Sequence, residues 1–575
     1  MKDAPARAGA LAALVWALLC VRWFDAGAPW RPAWLAAAPP FVLLLAFLAA
    51  LGVWLRGRWT TLRGETLGPA AGGLALVLAL AFCFRLPIAW SGAGAAVTAD
   101  GALSGIVALH VLDGSERLVF VPQVPYSGSL KSHVAALLAT AIEPVRAFAL
   151  ASVLFYLAYV AGLFRLALLL SGPRAALVAG LYAAFSPAFV TRYSLSNDGN
   201  YVEVLAFGTW ALWLSARATA EPPQRTRLGF LAGLLLGLAF WCHILAVIHL
   251  AALGLLFVAV GRASAWRPLL ALAAGFALGY GPGWLWNLGN DWDSFHYLLP
   301  GAARSVGTGE AGEASVTGFA GKLGLMLTDH APVLMGYDTG YGPLVDRALL
   351  VLAWLGVAMA LLAAAAVSRR ALRERSWPLA TLLLFALLNV GVVLLALPHV
   401  PGNPRYLLFL MSVVPVLLAE VFGQGSLRAP RTALLGVLIA TGALASLAQV
   451  PPTLVQDARW RGFVSALERD GVRHCYSDFF LATRINFLSA ERVVCSAKLG
   501  PFTTEYFFAY RAAVEQAPAA ALIPVNRTAA ARLERRLAEL GVTFERRDLV
   551  KPVLFRLSRK VDPEELFPGR EFPIR

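Results

Sequence analysis

The chain has 575 residues, of which 59% are hydrophobic and only 14% charged, with a mean hydropathy of +0.66. Soluble domains sit near about 45–50% apolar and about 25% charged, so this composition rules out disorder, collagen-like repeats and small disulfide scaffolds, argues against an ordinary soluble enzyme, and leaves a polytopic helical membrane protein. The net charge of +15, from 49 Lys+Arg against 34 Asp+Glu, belongs to membrane topology and not to nucleic acid, because no basic stripe interleaved with aromatics is present.

Apolar runs of roughly 17–23 residues, broken by short polar loops, read as spanning helices. In chain order they are 8–25, 33–55, 69–89, 146–170, 174–191, 201–217, 228–242, 244–260, 268–286, 346–367, 377–397, 404–422 and 431–449, about thirteen transmembrane helices. The start of the chain has some signal-peptide character, but it lacks a small-residue cleavage site followed by a soluble domain, so it reads as the first span. The pair 228–242 and 244–260 is short enough to be one bent helix.

With a cytoplasmic N-terminus, the inner loops collect Arg56, Arg58, Arg63, Arg174, Arg217, Arg225, Arg227, Arg262, Arg267, Arg369, Arg370, Arg373, Arg375, Arg428 and Arg431. Arg31 and Arg192 are the exceptions in short outer loops. These loops are short, which is where the positive-inside rule has force. The long segments 90–145 and 287–345 and the tail then lie outside. Residues 1–450 are expected to form the transmembrane module, and 451–575 a small extracytoplasmic α/β domain. The tail carries β-rich pieces at Arg492–Cys495 and Val553–Leu557 and a helical pattern at Ala529–Leu540.

Of the five cysteines, Cys20, Cys83 and Cys242 sit in apolar runs and read as buried small hydrophobes. Cys475 and Cys495 lie in the tail and are able to pair if it stands outside the cytoplasm. No C-x-x-C spacing supports a zinc site.

The first outer loop runs from Thr98-Ala99-Asp100-Gly101 through Ser104 to His110 and Asp113-Gly114, then Gln123-Val124-Pro125-Tyr126-Ser127-Gly128-Ser129-Leu130-Lys131. Ile106, Leu109, Val111 and Leu112 predict a helix along the membrane surface with Asp100 at its N-terminal end. Asp100 there is either a helix cap or a functional carboxylate.

These stretches, with Ser196-Asn197-Asp198-Gly199-Asn200-Tyr201-Val202-Glu203, Pro404-Arg405-Tyr406-Leu407-Leu408 and the tail pieces Tyr476–Phe480 and Phe487–Arg492, carry a likeness. The chain resembles the membrane glycosyltransferases of the C superfamily (GT-C), near the dolichyl-phosphate-mannose protein mannosyltransferase and aminoarabinose transferase group, as a bacterial, cell-envelope member. The likeness covers most of the chain from about residue 85, and it rests on the order of the motifs more than on any one of them. It implies a polyprenyl-phosphate-linked sugar as donor and a glycan, lipid or protein acceptor on the outer face of a bacterial inner membrane. It further implies that Asp100 is the general base, matching the first acid of the family's outer-loop pair. The sequence departs from that pair at Gly101, so a second acid must come from Glu203 or Asp198. Glu203 otherwise reads as an interfacial carboxylate, and Asp198 as a turn residue.

A departing phosphate needs cations, and Arg405 and Lys131, with Arg85 as a third candidate, are the donor-phosphate residues; each is also explained as an interfacial cation. Tyr126, Tyr406 and His243 are candidates for positioning donor or acceptor, or else packing residues. No metal set is assigned; a divalent metal is compatible with the family, one branch of which uses one. The loop after Asp291-Trp292-Asp293, rich in glycine, reads as a lid or a plain connection. A transporter or lipid flippase, or a non-catalytic subunit of an envelope-polymer assembly system, is the alternative. Transporters tend to place charges at the bilayer midplane, whereas here the ionisable residues gather at helix ends.

Overall fold

In the computed structural model the described residues are 68–116, 118–196, 198–261, 266–296, 298, 315–397, 399–423, 430–500 and 502–567, with isolated positions between 7 and 50. The predicted spans 8–25 and 33–55 (apart from those isolated positions), Cys20 and the glycines at 307, 309 and 312 lie outside them. Every other predicted span carries a helix. Helix α1 is Gly68–Ser91 and α2, in the first long loop, is Ala99–Asp113. A hairpin of β1 (Phe120–Val121) and β2 (Val124–Gly128) leads into α3, Leu130–Ala139. Helix α4, Pro144–Ala184, is broken at Gly172 (φ 82) ahead of Pro173, which separates the predicted spans 146–170 and 174–191. The second of these ends early, at Ala184. The short helix Ala188–Tyr193 follows Pro187, because proline does not continue a helix interior.

Helices α5 (Tyr201–Ala220), α6 (Arg225–Cys242) and α7 (Val247–Gly261) follow. The chain turns at His243, in extended conformation, so α6 and α7 are two helices and not one bent one. Helix α8 (Trp266–Gly279) bends by 67° into α9 (Gly281–Asn287). Helices α10 (Pro343–Glu374) and α11 (Trp377–Gly391) come next. The predicted span 404–422 is a 3-10 helix, Arg405–Ser412, bent by 43° from α12, Val414–Phe422. Helix α13 (Pro430–Ala448) leads to α14, Val450–Arg469.

Among the described residues, six helices are long and apolar enough to cross a membrane, or eight if each bent pair is one span. The chain is therefore an integral membrane protein. Pro144–Ala184 counts once in that number, α7 is short, and α5 carries Glu203 and Arg217 near its ends. Helices α6 and α8 pack through small residues. A Cβ on Gly233 would lie 2.0 Å from the Leu272 carbonyl oxygen, and one on Gly275 2.0 Å from that of Phe230. Without a hydrophobic drive between helices in lipid, such close approach supplies the dispersion contact that holds them. Cys83 is exposed, against expectation. The face of α1 that bears Val77, Ala81 and Arg85 packs inward, and helical spacing turns Cys83 away from it.

Beyond α14 the chain builds a five-stranded sheet from β3 (His474–Tyr476), β4 (Val494–Ser496), β5 (Ala521–Leu522), β6 (Glu545–Asp548) and β7 (Pro552–Phe555), in the order β4-β3-β5-β7-β6. The first three are parallel, while β7 and β6 are antiparallel. Helices α15 (Phe479–Leu488), α16 (Phe508–Gln516) and α17 (Arg527–Glu539) connect them. Side chains alternate across the sheet with period two. Tyr476, Leu522 and Leu554 face a small core with Leu533 and Leu537. Cys475, Cys495, Ala521 and Val553 face a second core that also contains Ile106 and Val107 of α2 and Phe148 of α4. Cys475 and Cys495 sit opposite each other in register and form a disulfide.

Candidate active site at one end of the bundle

The site gathers where the N-terminus of α5 meets β2, α3, the α6–α7 turn and the 3-10 helix at Arg405. Asn200 sits in the left-handed region (φ 58). Its amide donates to Ser127 Oγ (2.9 Å), the Gly128 carbonyl (2.7 Å) and the Cys242 carbonyl (3.1 Å). One side chain thus ties three segments together, and Ser127 forms a bridge with His243.

Tyr201, one residue on, is the aromatic hub. Its ring lies 5.1 Å from His243, 5.8 Å from Tyr193, 5.9 Å from Phe409 and 6.3 Å from Tyr406. Tyr126 packs edge-on to His243 at 5.7 Å. His243 Nδ1 accepts from the Leu245 N–H at 3.2 Å, capping the turn into α7. Arg405 is half-buried, with its guanidinium carbon 5.2 Å from the Tyr406 ring centre.

Lys131 and Glu203 are both fully buried and paired, Nζ to Oε2 at 3.2 Å. Neither is the solvated interfacial charge that the sequence alone allows. Glu203 Oε1 has no hydrogen-bond partner among the described residues. A buried carboxylate oxygen left without a hydrogen bond is uncommon in a folded interior.

Asp100 lies exposed in the first turn of α2. It does not cap that helix. Thr98 does, its Oγ1 accepting from the Gly101 N–H at 3.1 Å. One turn on, the Ser104 carbonyl accepts from Ser132 Oγ at 2.8 Å, which fastens the Asp100 helix to the helix that carries Lys131.

Arg85 stands elsewhere. It is fully buried and spends its nitrogens on Ser194 Oγ (2.6 Å), Ser186 Oγ (2.9 Å) and the carbonyls of Ala184 (3.0 Å) and Ala81 (3.1 Å), stacked 3.9 Å over Tyr156. Asp198 opens the 3-10 turn Asp198–Asn200, and its side chain lies outside the described residues. Asn200 and Tyr201 were given no role on the sequence. The signal for Asn200 was its place in an Asn-Asp-Gly-Asn run, since asparagine tolerates the left-handed region. No group of three or more His, Cys, Asp or Glu able to hold a metal occurs among the described residues.

No protein-family model matches the sequence, and no curated protein matches it. Solved structures do match, and the fold is that of the membrane protein ArnT. The apo crystal structure of ArnT from Cupriavidus metallidurans aligns over 85% of this chain and 98% of its own, with a TM-score of 0.55 at 11% identity. The same protein bound to undecaprenyl phosphate aligns over the same shares, with a TM-score of 0.54 at 12% identity. The archaeal oligosaccharyltransferase AglB from Archaeoglobus fulgidus, in complex with an inhibitory peptide and a dolichol-phosphate, aligns over 82% of this chain and 70% of its own, with a TM-score of 0.46 at 14% identity.

Proposed function

We propose that the chain is a membrane glycosyltransferase that moves a sugar from a polyprenyl-phosphate donor to an acceptor on the outer face of the membrane. One observation carries the reading. Within a GT-C fold, Lys131, Glu203, Arg405, Tyr126, Tyr201, His243 and Tyr406 gather at the bundle end where α3 joins the helix of Asp100. The similar ArnT holds undecaprenyl phosphate, which supports a lipid phosphate as the ligand class here.

The acceptor's hydroxyl or amine attacks the anomeric carbon while the bond from that carbon to the phosphate oxygen breaks, and the electron pair leaves with the phosphate. The phosphate is already a stable anion and needs cations more than a proton. Arg405 supplies a fork and Lys131 a point charge, held in place by Glu203. The acceptor proton passes to Asp100, an exposed carboxylate. A single displacement inverts the anomeric centre, by the logic of one-step glycosidases. Glu203 is the favoured second acid, with Asp198 the other candidate. Arg85, saturated by protein acceptors, serves the framework. No step is routed through a divalent metal.

The same reading divides the chain into a catalytic module, 1–450, and an extracytoplasmic α/β domain, 451–575. It places the N-terminus in the cytoplasm of a bacterial cell. The arginine bias of the short loops supports that orientation. The disulfide in the tail supports it independently, since disulfides persist in oxidising compartments. The test is a panel of polyprenyl-phosphate sugars offered to purified protein. Wild type is expected to transfer or release sugar from at least one of them, and Asp100→Asn to lose about 10²–10⁴-fold in rate while still folding. Undiminished turnover in the variant removes Asp100 from the mechanism.

A further inference from the structure

The helix that carries Asp100 is gripped along its length by the C-terminal α/β part. Just before α2, the N–H groups of Gly94 and Ala95 donate to Asp457 Oδ1 of α14, at 2.6 and 3.2 Å. The carbonyls of the same two residues accept from Arg484 of α15, at 3.0 and 3.3 Å. Asp457 is itself buried and held by Arg461 at 2.7 Å, and Arg461 also reaches Glu143. Halfway along α2, Gly105 faces the Phe487 ring so closely that a Cβ there would lie 2.5 Å from it. At the far end, His110 Nε2 meets Glu491 at 2.8 Å, and Tyr510 donates to the same carboxylate. Arg484, Phe487 and Glu491 all fall between Cys475 and Cys495, so the disulfide closes the segment that does the gripping.

This is more than a surface contact. In the short helix Ala93–Ala96 the Gly94 N–H and the carbonyls of Gly94 and Ala95 are met by side chains that lie more than 350 residues away in sequence, while the Ala95 N–H is shared between Asp457 and the Gly92 carbonyl, and a buried backbone group without a partner is costly. That short helix ends at Ala96, four residues before Asp100. Its position sets where α2 begins and hence where its first-turn carboxylate stands.

We propose that Asp457 and Arg484 are positioning residues for Asp100, and that the C-terminal α/β part serves the reaction by fixing the catalytic helix at both ends. The proposal rests on Asp100 acting as the base. Small misplacement of a reacting group costs rate steeply, so the effect belongs in kcat and not in donor binding.

The experiment uses the full chain in lipid nanodiscs, with Asp457→Ala compared with Asp457→Asn, which keeps an acceptor oxygen for Gly94 and Ala95. Two readouts are taken: kcat and KM for the polyprenyl-phosphate sugar, and amide hydrogen exchange across 93–104. Expected for Asp457→Ala is a loss in kcat of about tenfold or more, with KM within about twofold and faster exchange in 93–104. Asp457→Asn should restore most of both. A second variant bears on the middle contact. Gly105→Val should lose kcat, and adding Phe487→Ala should return much of it. Unchanged exchange in Asp457→Ala would overturn the grip, and faster exchange with unchanged kcat would overturn its catalytic meaning. Inactive wild type would instead defeat the glycosyltransferase reading and the catalytic half of the proposal with it, while the exchange data still decide the docking half.

Discussion

Asp100 and Lys131 have opposite surroundings, and each bears on the role proposed for it. Asp100 is exposed in the first turn of a helix whose N-cap is supplied by Thr98. Lys131 is buried, and Glu203 shares the burial and pairs with its charge. Lys131→Met leaves an uncompensated carboxylate in the interior and should destabilise the protein by about 3–5 kcal/mol. Adding Glu203→Gln should return most of that stability without returning activity. Thermal melting of the two variants in detergent checks this, and equal melting of the single and double variants would refute it. The residue types of the site were legible in the sequence: an acid in an outer loop, cations at helix ends, tyrosines beside them. Their pairing was not. Lys131 and Glu203 are 72 positions apart, and no periodicity reveals that two charges meet. Arg85 reads the same as Arg405 in a sequence, as a cation near a helix end. Only the carbonyls of Ala81 and Ala184 and the hydroxyls of Ser186 and Ser194 around it identify a framework residue.

At the scale of elements, the contact between α2 and the tail titrates. Burial opposes the charge on His110, but the carboxylates of Glu116 and Glu491 outweigh it and hold the imidazole up at about 9. Tyr510 and the Phe507 ring also face it, and Asp113 lies close enough to Glu491 to oppose that carboxylate's charge. A histidine raised above its ordinary value adds stability that is fully present below about pH 6.5 and fades as pH rises through about 9. Wild type should therefore lose more melting temperature between pH 6.5 and pH 9.5 than Glu491→Gln does. Equal losses would contradict the linkage. The α6–α8 seam allows a second test. Gly233→Leu drives a side chain into the Leu272 carbonyl and should cost about 1–3 kcal/mol or more, seen as a lower melting temperature in detergent; an unchanged one would mean that the helices separate freely. Hydropathy located these helices because their apolar length is set by the bilayer. It did not locate the bends at Tyr280 and Val413, where both sides of the bend stay apolar and only geometry distinguishes one helix from two.

For the whole molecule, the membrane part was readable and the tail only partly so. A spanning helix repeats one signal over about twenty residues, whereas the strands of the tail are two to four residues long and their partners come from distant segments. The pieces Arg492–Cys495 and Val553–Leu557 foretold β4 and β7, and Ala529–Leu540 foretold α17. Nothing in the sequence foretold that one face of the sheet would share a core with α2. That shared core ties the α/β part to the helix that carries Asp100, as the proposed bracing of the site requires. It also sharpens the choice between chemistry and transport, because a polar cluster at the end of the bundle beside a braced carboxylate suits transfer at the interface. Proteoliposomes loaded with a polyprenyl-phosphate sugar and a suitable acceptor test this most directly, by following free polyprenyl phosphate and intact donor together in a single turnover. The account requires one polyprenyl phosphate released for each sugar transferred by wild type, and neither formed by Asp100→Asn, although the variant still binds the lipid. Intact donor carried across the bilayer with its sugar attached, equally in both proteins, would contradict it.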